Sequence, residues 1–174
     1  GEIVKYGALD GGIFKKLKLN TARLTDYDFL EEITCDCIAH KAKVVCEDER
    51  DLSGKRKSLN LGHTTGHALE LFYRKKSHGE FVLIGMFYEL YIAEKLNICG
   101  GQYAEDIKNL ILCVLKKIPV YENIEEAAAY AVYDKKNEDG NVSLIVPKCV
   151  GGCAEIKLSL SEYTAFLKEC AKKL

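Results

Sequence analysis

The sequence predicts a mainly α fold, a multi-helix bundle-like domain with a short β-hairpin near residues 141–158. Three observations predict it. Only two of the 174 residues are proline, so few positions are barred from a helix interior. Apolar residues recur at spacings of three and four through most of the chain, which is the period of a helix with one buried face. Asn141 to Pro147 and Ala154 to Leu158 instead alternate apolar and polar residues on either side of Gly151-Gly152, as the two arms of a hairpin do.

Glu2-x-x-Lys5 reads on its own as a weak helical ion pair, and no longer element is assigned before Thr25. A long helix starts at Thr25-Asp26, where either side chain can cap free amides. It runs through Phe29, Ile33, Ile38, Ala42 and Val45 toward Glu49, and Leu52-Ser53-Gly54 breaks the pattern. A helix from about Arg56 to Lys75 follows. The next, Gly79 to about Leu96, is apolar nearly all round (Phe81, Val82, Leu83, Ile84, Met86, Phe87, Leu90), the mark of a central buried helix. Further helices are expected at Tyr103 to Lys117, Ile124 to Lys135 and Ser161 to Lys173. With no internal repeat and this length, residues 1–174 read as one helical domain.

Composition narrows the function. The formal net charge is −1, from 25 basic and 26 acidic residues, so no general attraction to nucleic acid or an anionic membrane is expected. A small-molecule partner fits better. The eight cysteines are scattered, with no repeated Cys-x-x-Cys and no secretory pattern at the amino end, and they read as reduced thiols of a cytoplasmic protein. The longest apolar runs, Phe81 to Met86 and Ala127 to Val132, fall far short of the roughly 20 residues of a membrane span.

Three of the four histidines fall between residues 63 and 78: Gly-His63-Thr-Thr-Gly-His67-Ala-Leu-Glu70, then His78-Gly-Glu. Such density points to a metal, because imidazole is the commonest transition-metal ligand and a catalytic zinc takes three protein groups with one position open. Glu2, Asp48, Glu49 and Glu70 are carboxylates available to complete the set. On one continuous helix Arg56, Asn60, His63, His67, Glu70 and Arg74 would fall within an arc of about 80°. A solvated polar stripe is the ordinary meaning of such an arc. Gly62 and Gly66 argue against it, since each weakens a helix by about 1 kcal/mol relative to Ala and makes sense where a ligand or another backbone comes close. The residue after His63 is Thr64, not the Glu of zinc hydrolases. His40 stands alone in a charged stretch and reads as a surface or packing histidine.

The run Arg56-Lys-Ser-Leu-Asn60-Leu-Gly-His63-Thr-Thr-Gly-His67-Ala-Leu-Glu70, with His78-Gly-Glu-Phe-Val-Leu-Ile-Gly-Met86, resembles the signature of the 3-dehydroquinate synthase family. Gly1-Glu-Ile-Val-Lys5, Lys41-Ala-Lys-Val-Val-Cys-Glu-Asp-Glu-Arg50, Asp134-Lys-Lys136 and Val142 to Gly151 agree in order. The resemblance covers the carboxyl-terminal, helical half of that enzyme. It implies metal ligands Glu2, His63 and His78, holding Zn or Co, with His67 turned to the substrate. It further implies that Lys5, Lys41, Arg56, Asn60 and one of Lys135 and Lys136 bind a seven-carbon keto acid phosphate, His67, Lys5, Asn60 and Arg56 serving catalysis.

In that family bound NAD oxidises one hydroxyl, phosphate is eliminated, the ketone is reduced again, and ring opening and aldol closure give dehydroquinate. The NAD-binding amino-terminal domain is absent from this chain, which the resemblance makes a fragment of a homodimeric enzyme. One departure stands out: where the family has Glu-x-Gly-Leu-Arg, this chain reads Asp51-Leu-Ser-Gly-Lys-Arg56, one residue longer, which gives the acidic role to Asp51. Three rivals remain. They are another sugar-phosphate cyclase such as a deoxy-inosose synthase, the helical half of a metal-dependent glycerol or alcohol dehydrogenase, and a non-enzymatic helical module with a structural metal site at Cys149-x-x-x-Cys153.

Overall fold

The computed structural model describes residues 1–133 and 141–174; Lys135, Lys136 and the expected end of a helix at Lys135 lie outside them. Among the described residues there are eight α-helices and one antiparallel hairpin. The first two helices, α1 (Glu2–Leu9) and α2 (Gly11–Leu19), were not expected. Asp10 joins them, its Oδ1 accepting from the amides of Gly12 at 2.8 Å and Ile13 at 3.0 Å. This is an N-cap signal readable in the sequence. Helices of eight and nine residues repeat their apolar stripe too few times to stand out in the sequence.

Asp26 caps α3 (Tyr27–Glu47), accepting from Asp28 N at 3.0 Å and Phe29 N at 3.2 Å. The buried stripe is Phe29, Ile33 and Cys37. Ile38, expected inside, is 62% exposed, because Cys37 continues the four-residue spacing and Ile38 is turned off it.

The helix expected over 56–75 is two elements. Lys55–Asn60 form a 3-10 turn, and α4 (His63–Tyr73) begins only after Gly62, whose φ of +76° no continuing helix allows. Arg56 and Asn60 therefore do not share a helix face with the histidines. A capping box between Ser77 and Glu80 starts α5 (His78–Lys95), whose Phe81, Val82, Leu83, Ile84, Leu90 and Ile92 are wholly buried. Each such side chain contributes about 1.5–3 kcal/mol of burial. This helix is the hub, packed by α1, α4, α6 (Gly101–Leu115) and the later elements.

The short α7 (Ile124–Ala129) passes into a 3-10 turn, Tyr130–Tyr133. Strands β1 (Asn141–Cys149) and β2 (Gly152–Ser159) pair Val142 with Leu158 and Leu144 with Ile156. A Ser159–Glu162 capping box opens α8 (Leu160–Ala171). All eight cysteines are free thiols. Among the described residues no helix is long and apolar enough to cross a membrane.

Candidate metal centre

Backbone contact sets the centre. A Cβ on Gly85 of α5 would lie 2.1 Å from the carbonyl oxygen of Gly62, and one on Gly66 would lie 2.8 Å from that of Phe81. The glycines around the histidines therefore accommodate a second backbone, not a ligand. With α4 laid against α5 in this way, the first residue of each, His63 and His78, meets the other. Their ring centroids are 5.5 Å apart, and His67 stands 5.2 Å from His63 and 5.5 Å from His78. One ligand nitrogen from each of the three lies within 4.8 Å of the others.

Glu2 arrives from the start of α1, which is brought in by close backbone approach of Gly1 to Gly79. Its Oε1 lies 3.6 Å from His63 Nε2 and is buried with no hydrogen-bond partner, while Oε2 accepts from Lys5 Nζ at 2.6 Å. A buried carboxylate oxygen without a donor, turned toward one imidazole of the cluster, is what a divalent cation would satisfy.

The imidazoles are set up for the same task. His63 Nδ1 lies 3.0 Å from the Leu61 carbonyl and His78 Nδ1 2.9 Å from Glu70 Oε2. Both partners can only accept, so each Nδ1 carries the proton and each Nε2 is left as a lone-pair donor. Burial holds the His63 imidazole down to about 4, so it is neutral at pH 7, the form that binds metal. No cysteine belongs to this group, unlike the closed site that a structural module would need.

Lys5 is 2% exposed, far from the solvated charge that lysine usually is. It is held by Glu2, by the Leu59 carbonyl at 3.1 Å and by the Tyr6 ring. Burial lowers its pKa, against the opposing pull of Glu2. Burial raises that of Glu2, but the hydrogen bond and charge of Lys5 oppose it, and the net shift is downward. Lys41 lies exposed on α3, near enough to Lys5 to repel its charge.

Asn60, His63, His67, Asp51 and Lys57 line a cavity of about 330 Å³ closed by Ser143 and Glu155 of the hairpin. Arg56 is not at its wall: its guanidinium donates to the Glu49 carbonyl at 3.2 Å. Asp48, a carboxylate that the sequence left open as a ligand, organises the loop instead. It accepts from the amides of Leu52, Ser53 and Arg56, which hold its carboxyl down to about 2. His40 packs edge-on against Tyr6 and pairs with Asp10. Sequence reasoning missed Lys57, which binds Glu155 at 2.7 Å, and the buried Glu89. Lys57 had a signal, three residues before Asn60, but Glu89 had none.

Comparison with known proteins gives the family. The family model described as 3-dehydroquinate synthase C-terminal matches residues 1–137, a span that contains Glu2 and the three clustered histidines. The 3-dehydroquinate synthase of Alkaliphilus metalliredigens is 35% identical over 177 residues, 96% of this chain and 48% of the relative. That of Geobacter sp. is 39% identical over 160 residues, 87% of this chain and 43% of the relative. The chain thus spans about half the length of the curated relatives it matches. A 2-deoxy-scyllo-inosose synthase solved with carbaglucose-6-phosphate, NAD+ and Co2+ superposes with a TM-score of 0.69 at 25% identity, over 80% of this chain and 41% of that one. A 2-epi-5-epi-valiolone synthase from Streptomyces hygroscopicus, with NAD+ and Zn2+ bound, shares the fold over 99% of this chain and 50% of its own, with a TM-score of 0.78 at 17% identity. Since the family model matches residues 1–137, which hold Glu2 and the histidine helix, and relatives at 35% identity cover nearly the whole chain, the chain belongs to the 3-dehydroquinate synthase family, in the part that its carboxyl-terminal model describes.

Proposed function

We propose that this chain is the metal- and substrate-binding half of a 3-dehydroquinate synthase, converting 3-deoxy-D-arabino-heptulosonate 7-phosphate to 3-dehydroquinate and phosphate in the shikimate pathway. The observation that carries this is the orphaned Glu2 Oε1 turned toward His63 within the histidine group. In this reading Glu2, His63 and His78 hold a Zn or Co ion and His67 faces the substrate. The ion supplies Lewis acidity that lowers the pKa of a coordinated hydroxyl, and NAD, assigned to the other half of the whole protein, supplies the hydride acceptor.

The chain's own residues do the rest. Lys5 occupies one oxygen of Glu2 and so turns the other toward His63. His67, on the wall shared with Asn60, is placed to take or return a substrate proton, and the Asn60 amide offers both a donor and an acceptor to hydroxyl or phosphate. Lys5, Lys41, Arg56 and one of Lys135 and Lys136 supply cations for the carboxylate and phosphate. Arg56 makes a bidentate contact once its guanidinium leaves the Glu49 carbonyl.

The test uses the whole protein. His63→Ala and His78→Ala should abolish Zn2+ binding in a titration, while His67→Ala should largely spare it and lower phosphate release; equal loss of binding in all three sinks the division of roles. The 25% identity to a deoxy-inosose synthase favours a second reading, a cyclase acting on a six-carbon sugar phosphate. Phosphate release from glucose 6-phosphate but not from the seven-carbon acid would establish it.

A further inference from the structure

We infer that Glu89 is a positioning residue for the histidine centre, capping α4 from the neighbouring helix and so fixing where His63 stands relative to His78. The inference rests on the metal reading above. The first amides of any helix need acceptors, and a Ser, Thr, Asp or Asn at the N-cap is the ordinary source. Here the N-cap is Gly62, which has no side chain to offer. Nor is there room for one, since a Cβ would lie 2.4 Å from Met86 Cγ and 2.6 Å from the Val82 carbonyl.

Glu89 fills the role from α5. One carboxylate oxygen accepts from Gly62 N at 2.6 Å and the other from Thr65 N at 3.1 Å. The Tyr163 hydroxyl of α8 donates to Thr65 Oγ1 at 3.0 Å, and all three side chains are wholly buried. A carboxylate in the core is costly: burial raises its pKa, while the hydrogen bonds from Thr65 and Gly62 pull it back down; packing alone would be served better by an apolar side chain. What the carboxylate adds is register. His63 lies between the two pinned amides, and His78 begins the helix that carries Glu89, about three turns away. One rigid rod thus holds one candidate ligand and clamps the other.

The test is Glu89→Gln in the whole protein, which keeps the shape but turns one acceptor into a donor facing an amide. Zn2+ affinity is read by chelator competition and the site's geometry by the absorption bands of bound Co2+. Zn2+ binding should weaken ~10–100-fold with altered Co2+ bands, as loss of a group supporting a metal ligand does. Leu167→Ala, a buried truncation on α8, should lower Tm and leave both readings unchanged. Wild-type affinity and bands in Glu89→Gln overturn the inference, as does an equal weakening in Leu167→Ala. If Glu89→Gln does not fold, Tyr163→Phe decides: about threefold weaker binding, the size of one hydrogen bond, supports the inference, and no change overturns it. A wild-type protein that binds no Zn2+ overturns the metal reading instead.

Discussion

Two regions meet at the same cavity and are built in opposite ways. Around α4 and α5 the backbones touch through glycine, His63 and His78 have fixed hydrogen-bond partners, and the carboxylate of Glu89 is sealed inside. Across the cavity, the segment from Asp48 to Asn60 is a turn that rests on α3 and β1. Its Lys55 and Lys57 are exposed, and Asp48 ties it together through backbone amides. The contrast teaches a division of labour. Donors for an ion have to be placed to within a fraction of an ångström before the ion arrives, whereas exposed loop cations can stay hydrated.

The sharpest way to break this contrast is Gly85→Ala. If the helices touch as described, the new methyl group meets the Gly62 carbonyl and should cost about 3 kcal/mol or more in denaturant unfolding, beyond ordinary overpacking. A loss under about 1 kcal/mol would show that the contact yields.

A smaller effect is expected from Asp48→Asn on the looser side. Amide exchange at Leu52, Ser53 and Arg56 should quicken while Zn2+ affinity stays unchanged. The sign with pH follows from the lowered carboxyl: its contribution is fully present above about 3.8 and is lost as pH falls from there through about 2. The exchange difference between wild type and variant should therefore close toward pH 2. A variant that loses Zn2+ binding would join the two regions into one.

The smallest effect belongs to Lys57→Met. Its pair with Glu155 is largely exposed, so stability should change by no more than about 0.5–1 kcal/mol. A larger loss would mean that the cavity rim is as rigid as the histidine side.

What the sequence disclosed follows the same divide between local and long-range causes. The Asp26 cap, the all-apolar run from Phe81 and the alternation of the hairpin are local patterns, and each marks a real element. The histidine grouping was legible too, because His63 and His67 are one turn apart and His78 follows within one short loop. The approach of Glu2 was legible only through family resemblance, since nothing near Glu2 shows that α1 returns to α5. The break at Gly62 was not legible, because its cause lies in Val82 and Met86. Glu89 was lost for the same reason: inside an apolar run it looks like one polar interruption, and its partners are 24 and 27 residues away.

The contact among Gly62, Gly66 and Gly85 also bears on how such a protein can change over time. A Cβ at any of the three would meet a neighbouring atom at 2.8 Å or less, and every residue but glycine has one. No series of small steps leads away from that arrangement, so the spacing of the imidazoles is inherited whole or lost whole. The loop from Asp48 to Asn60 carries no such lock. A lineage can rewrite its charges one at a time over an unaltered histidine centre.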